Sequence, residues 1–179
     1  QIAQSVRDHF KGKVVGVTGS SGKTSTKDML SILLGKSDTL STRGNLNNHL
    51  GIPLTLVQID SAQHKCAVIE AGINQVGEMQ GHSRMISPNL VVISSIGPSH
   101  LEGLGSVENV AKEKALLFRE SKNLEKAIFP EDCMKYECFA EWINDGKPCT
   151  ILKKGEPKQE PSFNEAFYDF WTETNNTGR

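Results

Sequence analysis

An α/β fold, with a mostly parallel sheet and helices on both faces, is the expectation for this chain, and three observations carry it. Apolar runs at KVVGVT, KCAVIE, NLVVISS and KAIFP have the length and continuity of buried parallel strands. Helical patterns at 22–35, about 50–58, 76–86 and 106–120 fall between those runs. The first run leads straight into a Gly- and Ser-rich loop that restarts as an amphipathic helix, the order of a phosphate-binding P-loop.

Taken in order, KVVGVTGSSGKT at 13–24 is the strand and loop, and SGKTSTKDMLSILL carries the helix. Gly19 and Gly22 let backbone N–H groups approach a polyphosphate, Lys23 adds a mobile positive charge, and the Thr24 hydroxyl stands where a P-loop holds Mg²⁺. The loop departs from G-x-x-x-x-G-K-[ST], because Val17 occupies the first Gly position. The strand, loop, Lys-Thr pair and helix in this order predict binding of a nucleoside triphosphate.

In open α/β sheets a ligand sits beyond the carboxyl ends of the strands. The residues to read next are therefore Glu70-Ala71-Gly72 after the second strand and Gly97-Pro98-Ser99-His100 after the third. A carboxylate at a buried strand end is costly without a partner, and Mg²⁺ beside the P-loop is one such partner. A solvated strand end is the other reading of Glu70. His100, taken alone, reads as a surface loop residue, since Mg²⁺ does not favour imidazole. Further on, AIFPEDCMKYECFAEWINDG reads as strand plus helix, PCTILKK as another strand, and FYDFWTET as the start of one more.

The chain has 179 residues and a formal net charge of −1, so no overall electrostatic case exists for nucleic acid or an anionic membrane. Residues 1–50 hold seven Lys and Arg against three acids, whereas 120–150 hold four against seven; the phosphate loop lies in the basic part. No apolar run approaches the roughly 20 residues of a membrane span, and no signal peptide is recognisable. Cys66, Cys133, Cys138 and Cys149 lack CxxC spacing and a nearby His, which predicts free thiols and a cytoplasmic protein.

Four blocks then carry a resemblance: TGSSGKTSTKDML, TRGNLNNHLGIPLTL, AVIEAGINQVGEM and IGPSHLEGLGSVENVAKEKALLF. In this order they resemble the central ATP-binding domain of the Mur ligases over roughly residues 13–120. TRGNLNNHLGIP and HLEGLGS are similar to the branch of that bacterial family that adds D-Ala-D-Ala. In that family the loop reads T-G-[ST]-x-G-K-[ST], so Val17 is normal there.

Residue by residue, the resemblance implies a triphosphate loop of Thr18, Gly19, Ser20, Ser21, Gly22, Lys23, Thr24 and Ser25. Lys23 would lie on the phosphates and Thr24 on a first Mg²⁺. Glu70 matches a metal-bridging carboxylate and His100 a ligand of a second Mg²⁺. Lys114, fourteen residues after His100, matches a lysine carbamylated by CO₂; read alone it is a solvated helix lysine. Lys112 is the neighbouring candidate, but two residues along a helix turn it about 200° away. Asn45, Asn47 and Asn48 match a loop facing the UDP-muramoyl peptide, although a polar turn accounts for the same residues.

The resemblance implies ATP and two Mg²⁺ ions as cofactors, and a UDP-N-acetylmuramoyl tripeptide and D-Ala-D-Ala as substrates. The γ-phosphoryl would pass to the peptide carboxylate, and the amine of D-Ala-D-Ala would displace phosphate from the acyl phosphate. Catalytic roles would fall to Lys23, Lys114 and His100. The resemblance also implies an organisation: residues 1–12 end a linker from an N-terminal domain, 13–179 form a central domain truncated at its C-terminal end, and a C-terminal domain is absent. A folylpolyglutamate-synthase-like ligase is a rival within the superfamily, against which GNLNN and HLEGLGS argue. A non-catalytic P-loop module using ATP as a switch is the rival of a different class.

Overall fold

The computed structural model describes residues 2–153 and 172–173. Its centre is a seven-stranded sheet of order β2-β3-β1-β4-β5-β6-β7. In chain order the strands are β1 (Lys13–Thr18), β2 (Thr39–Ser41), β3 (Cys66–Glu70), β4 (Leu90–Ile93), β5 (Lys126–Pro130), β6 (Cys149–Leu152) and β7 (Thr172–Glu173). Every pairing is parallel except β6 with β7. The mostly parallel α/β sheet expected from the apolar runs is therefore present, with the antiparallel strand at one edge.

The helices are α1 (Ile2–His9), α2 (Lys23–Leu33), α3 (Gly51–Leu56), α4 (Glu78–Ile86), α5 (Leu101–Leu104), α6 (Val107–Arg119) and α7 (Glu137–Asn144). A 3₁₀ turn, Glu131–Lys135, precedes α7. Side chains alternate across a strand, so each buried strand feeds two cores. Val15, Val17 and Val68 join Leu30 of α2 on one face. Val14, Ala67, Ile69, Val91 and Ile93 enter the larger core on the other, with Ile52, Met79, Leu117, Phe118 and Phe139 from α3, α4, α6 and α7. This two-sided burial explains why the strands are continuous apolar runs with no polar alternation.

The chain leaves β1 through α2 toward β2 at one edge, whereas later units step from β3 across to β4, β5 and β6. Order reverses around β1, so a crevice opens where the loops after β1 and β4 diverge. That is the position of the phosphate loop.

Several elements go beyond the sequence reading. The segment expected to end a linker is helical over Ile2–His9, with Ala3, Arg7 and Phe10 buried. Its buried face contains an arginine beside Ala3 and Phe10, so it does not read as a stripe of apolar residues. Arg7 donates from Nε to the Ile86 carbonyl at 2.7 Å and from a terminal nitrogen to the Ser87 carbonyl at 2.6 Å. Those carbonyls end α4, where a helix lacks intrahelical donors and presents partial negative charge. The short strand β2 and the single turn α5 also escaped the reading, each being too brief for a periodic signal. Of the segment FYDFWTET, the described residues include only Thr172 and Glu173, which form β7; the remainder lies outside the described residues.

Candidate nucleotide and metal site

The phosphate loop turns at two glycines for separate reasons. Gly22 has φ 79°, a left-handed conformation that side chains resist, and it starts α2 without a side-chain cap. The first N–H groups of α2 are thereby left for an anion. Gly19 is required by proximity: a Cβ there would stand 2.0 Å from Ser94 Oγ.

A set of serines after β4 shapes the loop. Ser20 N–H donates to the Ser95 carbonyl at 2.9 Å, and Ser21 N–H donates to Ser95 Oγ at 3.0 Å. Ser20 Oγ donates to the Gly97 carbonyl at 2.8 Å and accepts from Gly97 N–H at 3.0 Å, while Ser99 Oγ lies 3.1 Å from Ser20 Oγ. Ser94 Oγ donates to the Ser21 carbonyl. Ser94 and Ser95 were missed as site residues, although their place directly after a strand was the available signal. On the other side Thr18 Oγ donates to the Ala71 carbonyl at 2.7 Å. Lys23 Nζ folds back onto the Gly19 carbonyl at 2.9 Å, which holds its charge over the loop.

Glu70 meets this loop as expected from the ends of the strands. It is 1% exposed, accepts from Thr24 Oγ at 3.0 Å and accepts from Asn47 Nδ2 at 2.7 Å. Among the described residues it forms no ion pair. Its two oxygens are met only by neutral donors, and a cation recruited with ligand would add the partner that burial of a carboxylate calls for. No group of three or more His, Cys, Asp and Glu side chains converges as metal ligands among the described residues. The adjacent Thr24 hydroxyl and Glu70 carboxylate fit Mg²⁺, which takes one or two protein oxygens and completes its shell with phosphate and water.

Lys114 is 1% exposed, whereas Lys112 lies on the solvated side of α6. Burial, and then the nearby positive charge of Lys23, lower the Lys114 amine to about 7. The solvated-lysine reading of Lys114 is therefore overturned, because α6 turns this position onto the P-loop. His100 stays exposed, with a left-handed backbone at φ 50°. It opens on a cleft of about 390 Å³ shared with Asn74, Gln75, Glu102 and Gly103. A left-handed non-Gly residue is uncommon and recurs at functional sites. The imidazole is not drawn into the Glu70–Thr24 contact.

The three asparagines separate. Asn47 turns inward to Glu70 and packs on Gly72, where a Cβ would come within 2.9 Å of Asn47 Oδ1. Asn48 Oδ1 accepts from Leu50 N–H at 3.1 Å and Gly51 N–H at 2.9 Å, so it serves the start of α3. Asn45 is exposed and its carbonyl accepts from Asn47 N–H at 2.7 Å.

Among the described residues no helix is long and apolar enough to cross a membrane, and the four cysteines are unpaired. A family model described as "Mur ligase middle domain" matches residues 17–176. A UDP-N-acetylmuramoyl-tripeptide–D-alanyl-D-alanine ligase of Buchnera aphidicola is 39% identical over 153 residues, covering 85% of this chain and 33% of that protein. The crystal structure of MurF from Acinetobacter baumannii superposes with a TM-score of 0.74 at 34% identity, covering 85% of this chain and 33% of that one. MurF from Thermotoga maritima, solved with ADP, gives a TM-score of 0.72 at 27% identity, covering 87% and 36%. The chain thus spans about a third of the length of these relatives.

Proposed function

Because this chain belongs to the Mur ligase family through its middle domain, we propose that it supplies the ATP and Mg²⁺ site of an ADP-forming ligase of peptidoglycan precursor synthesis. The reaction is addition of D-Ala-D-Ala to a UDP-N-acetylmuramoyl tripeptide, in the bacterial cytoplasm. The observation that carries this reading is the contact of Thr24 with Glu70, which joins the P-loop helix to a buried carboxylate with no cationic partner among the described residues. Residues 13–179 are read as the central domain, with N- and C-terminal domains of the same polypeptide completing the site.

A carboxylate resists attack by an amine because its leaving group would be oxide. Transfer of the γ-phosphoryl of ATP to that carboxylate makes an acyl phosphate and replaces oxide with phosphate as leaving group. The amine of D-Ala-D-Ala then attacks the acyl carbon, forming the amide and releasing phosphate and a proton. Backbone N–H groups of Gly22 to Ser25, at the start of α2, and the Lys23 side chain would hold the triphosphate and face the charge that develops on it. Thr24 and Glu70 would hold one Mg²⁺, and His100 with a carbamylated Lys114 a second. When bound, the ions supply positive charge that spreads the charge of the transferring phosphoryl group.

The neutral Lys114 amine can add CO₂, forming an N–C bond and releasing one proton to leave an anionic carbamate. An amine near 7 has a substantial neutral fraction at physiological pH, and the Lys23 charge that disfavours the ammonium favours the carbamate. Asn45, the exposed member of its loop, would face the UDP-muramoyl peptide, with Asn47 reaching the site through Glu70.

The test uses the complete polypeptide that carries this domain. ADP release should require UDP-muramoyl tripeptide and D-Ala-D-Ala together with Mg²⁺. Release supported by a folate and glutamate, or nucleotide binding with no release under any carboxylate substrate, would overturn the reading.

A further inference from the structure

The structure assigns Lys27, which belongs to neither the phosphate loop nor the proposed metal ligands, the part of a positioning residue that sets the 42–48 loop and Glu70 against the P-loop helix. The inference rests on the ligase reading only for what that site does.

Lys27 lies three residues beyond Thr24 on α2 and is 4% exposed. Its Nζ donates to the Thr42 carbonyl at 2.8 Å and lies 2.7 Å from Asp28 Oδ1. Thr42, 1% exposed, is the residue directly after β2, where the loop begins. Its N–H donates to the Val68 carbonyl at 3.1 Å, and its Oγ accepts from Glu70 N–H at 2.9 Å. Glu70 in turn accepts from Thr24 Oγ at 3.0 Å. Lys27, Thr42, Glu70 and Thr24 therefore close a ring, with two members on one helix and two at the ends of neighbouring strands.

Burying an ammonium is costly, and an apolar side chain would fill the same space without that cost. Pairing with Asp28 does not require burial, because the Asp28 side chain is 59% exposed. What only the ammonium provides is a donor to the carbonyl at the root of the loop. The same loop delivers Asn47 to the second oxygen of Glu70 at 2.7 Å. Displacing Thr42 thus disturbs Glu70 at its backbone and its carboxylate together, and misplacement of about 1 Å at such a group can cost about 10²-fold.

The test compares Lys27→Met, which keeps the apolar stem, with Lys27→Arg, which keeps a donor, and with Thr42→Val, which removes only the hydroxyl. All are made in the complete polypeptide. In Lys27→Met, hydrogen exchange should rise about tenfold over residues 42–48 and at Glu70, while β1 and α2 keep their protection. The Mg²⁺ concentration giving half-maximal enhancement of ATP binding, read by calorimetry, should rise about tenfold, with Mg²⁺-free nucleotide affinity unchanged. Lys27→Arg should stay within about threefold of wild type. Thr42→Val should reproduce the Mg²⁺ shift, and the double variant should shift by less than the product of the two.

Unchanged Mg²⁺ dependence and exchange in a folded Lys27→Met overturns the inference, as does exchange raised uniformly through β1 and α2, which marks plain structural support. If Lys27→Met does not fold, wild-type Mg²⁺ dependence in Thr42→Val overturns it instead. Absence of ligase turnover in the unmodified polypeptide would count against the proposed reaction alone, since exchange and Mg²⁺-dependent binding still decide the role of Lys27.

Discussion

Lys114, 1% exposed on α6, feels the charge of Lys23 in the phosphate loop, which adds to burial in lowering the Lys114 amine to about 7. Two lysines so placed are a poor arrangement for two ammonium groups. They suit one cation and one neutral or carbamylated amine.

The first prediction concerns pH. Incorporation of ¹³CO₂ at Lys114, read as a carbamate resonance, should climb through pH about 7, far below an ordinary lysine at about 10.4. Lys23→Met removes a charge that lowers the Lys114 value and should move that midpoint upward. Stability has a definite sign. Between the folded value of about 7 and the ordinary 10.5 the unfolded chain binds more protons, so stability rises with pH across that window. Below it both states are protonated and the burial cost is felt in full; above it the term vanishes. In CO₂-free buffer, Lys114→Met should therefore exceed wild type in urea resistance at pH 7, with the gap shrinking toward pH 10. A gap independent of pH would contradict the shift.

Lys23→Ala keeps the backbone donors of the loop and loses its charge. A charge-assisted hydrogen bond is worth about 1.5–3 kcal/mol, which converts to roughly a ten- to hundredfold loss of Mg²⁺–ATP affinity. Isothermal titration of the two proteins measures it. Equal affinities would remove Lys23 from the phosphate site.

In the complete polypeptide Lys114→Ala should abolish most ligation, with partial recovery on adding short carboxylates that stand in for the carbamate. Lys112→Ala, altering an exposed residue, should stay within about twofold of wild type, as surface substitutions usually do. Full activity of Lys114→Ala without additive would exclude the carbamate.

The asparagine loop should give three different phenotypes. Asn47→Ala strips Glu70 of a donor at 2.7 Å and should raise the Mg²⁺ concentration needed for turnover and lower turnover itself. Asn48→Ala removes an acceptor for two N–H groups at the start of α3 and should cost about 1 kcal/mol in a denaturation experiment. Asn45→Ala should act on the KM for the muramoyl peptide. Identical effects of all three would return the loop to an ordinary polar turn.

Phe118 tests the core beneath the site. Its ring centroid lies 5.5 Å from Phe139 and 4.9 Å from Trp142, joining α6 to α7. Phe118→Ala should destabilise the domain by about 3–5 kcal/mol, measured by chemical denaturation. A loss below about 1 kcal/mol would mean that this cluster is not the support of α6.

The sequence by itself determined the sheet, its parallel sense and the phosphate loop. Those features follow from local rules: continuous apolar runs require burial on two faces, and a Gly-Lys-Thr turn into a helix follows a strand for steric reasons. It also put Glu70 at the carboxyl edge, since strand ends and ligand sites coincide in such sheets. The burial of Lys114 and Lys27 could not be read there, because a lysine on a helix looks solvated until a neighbouring element covers it. The inward turn of Asn47, the capping role of Asn48 and the serines clasping the loop belong to the same class. So does α1, whose arginine is buried only because the carbonyls ending α4 receive it. A hydrophobic period reports how one element faces the core, whereas a buried donor depends on an acceptor far along the chain, and only the folded arrangement brings the two together.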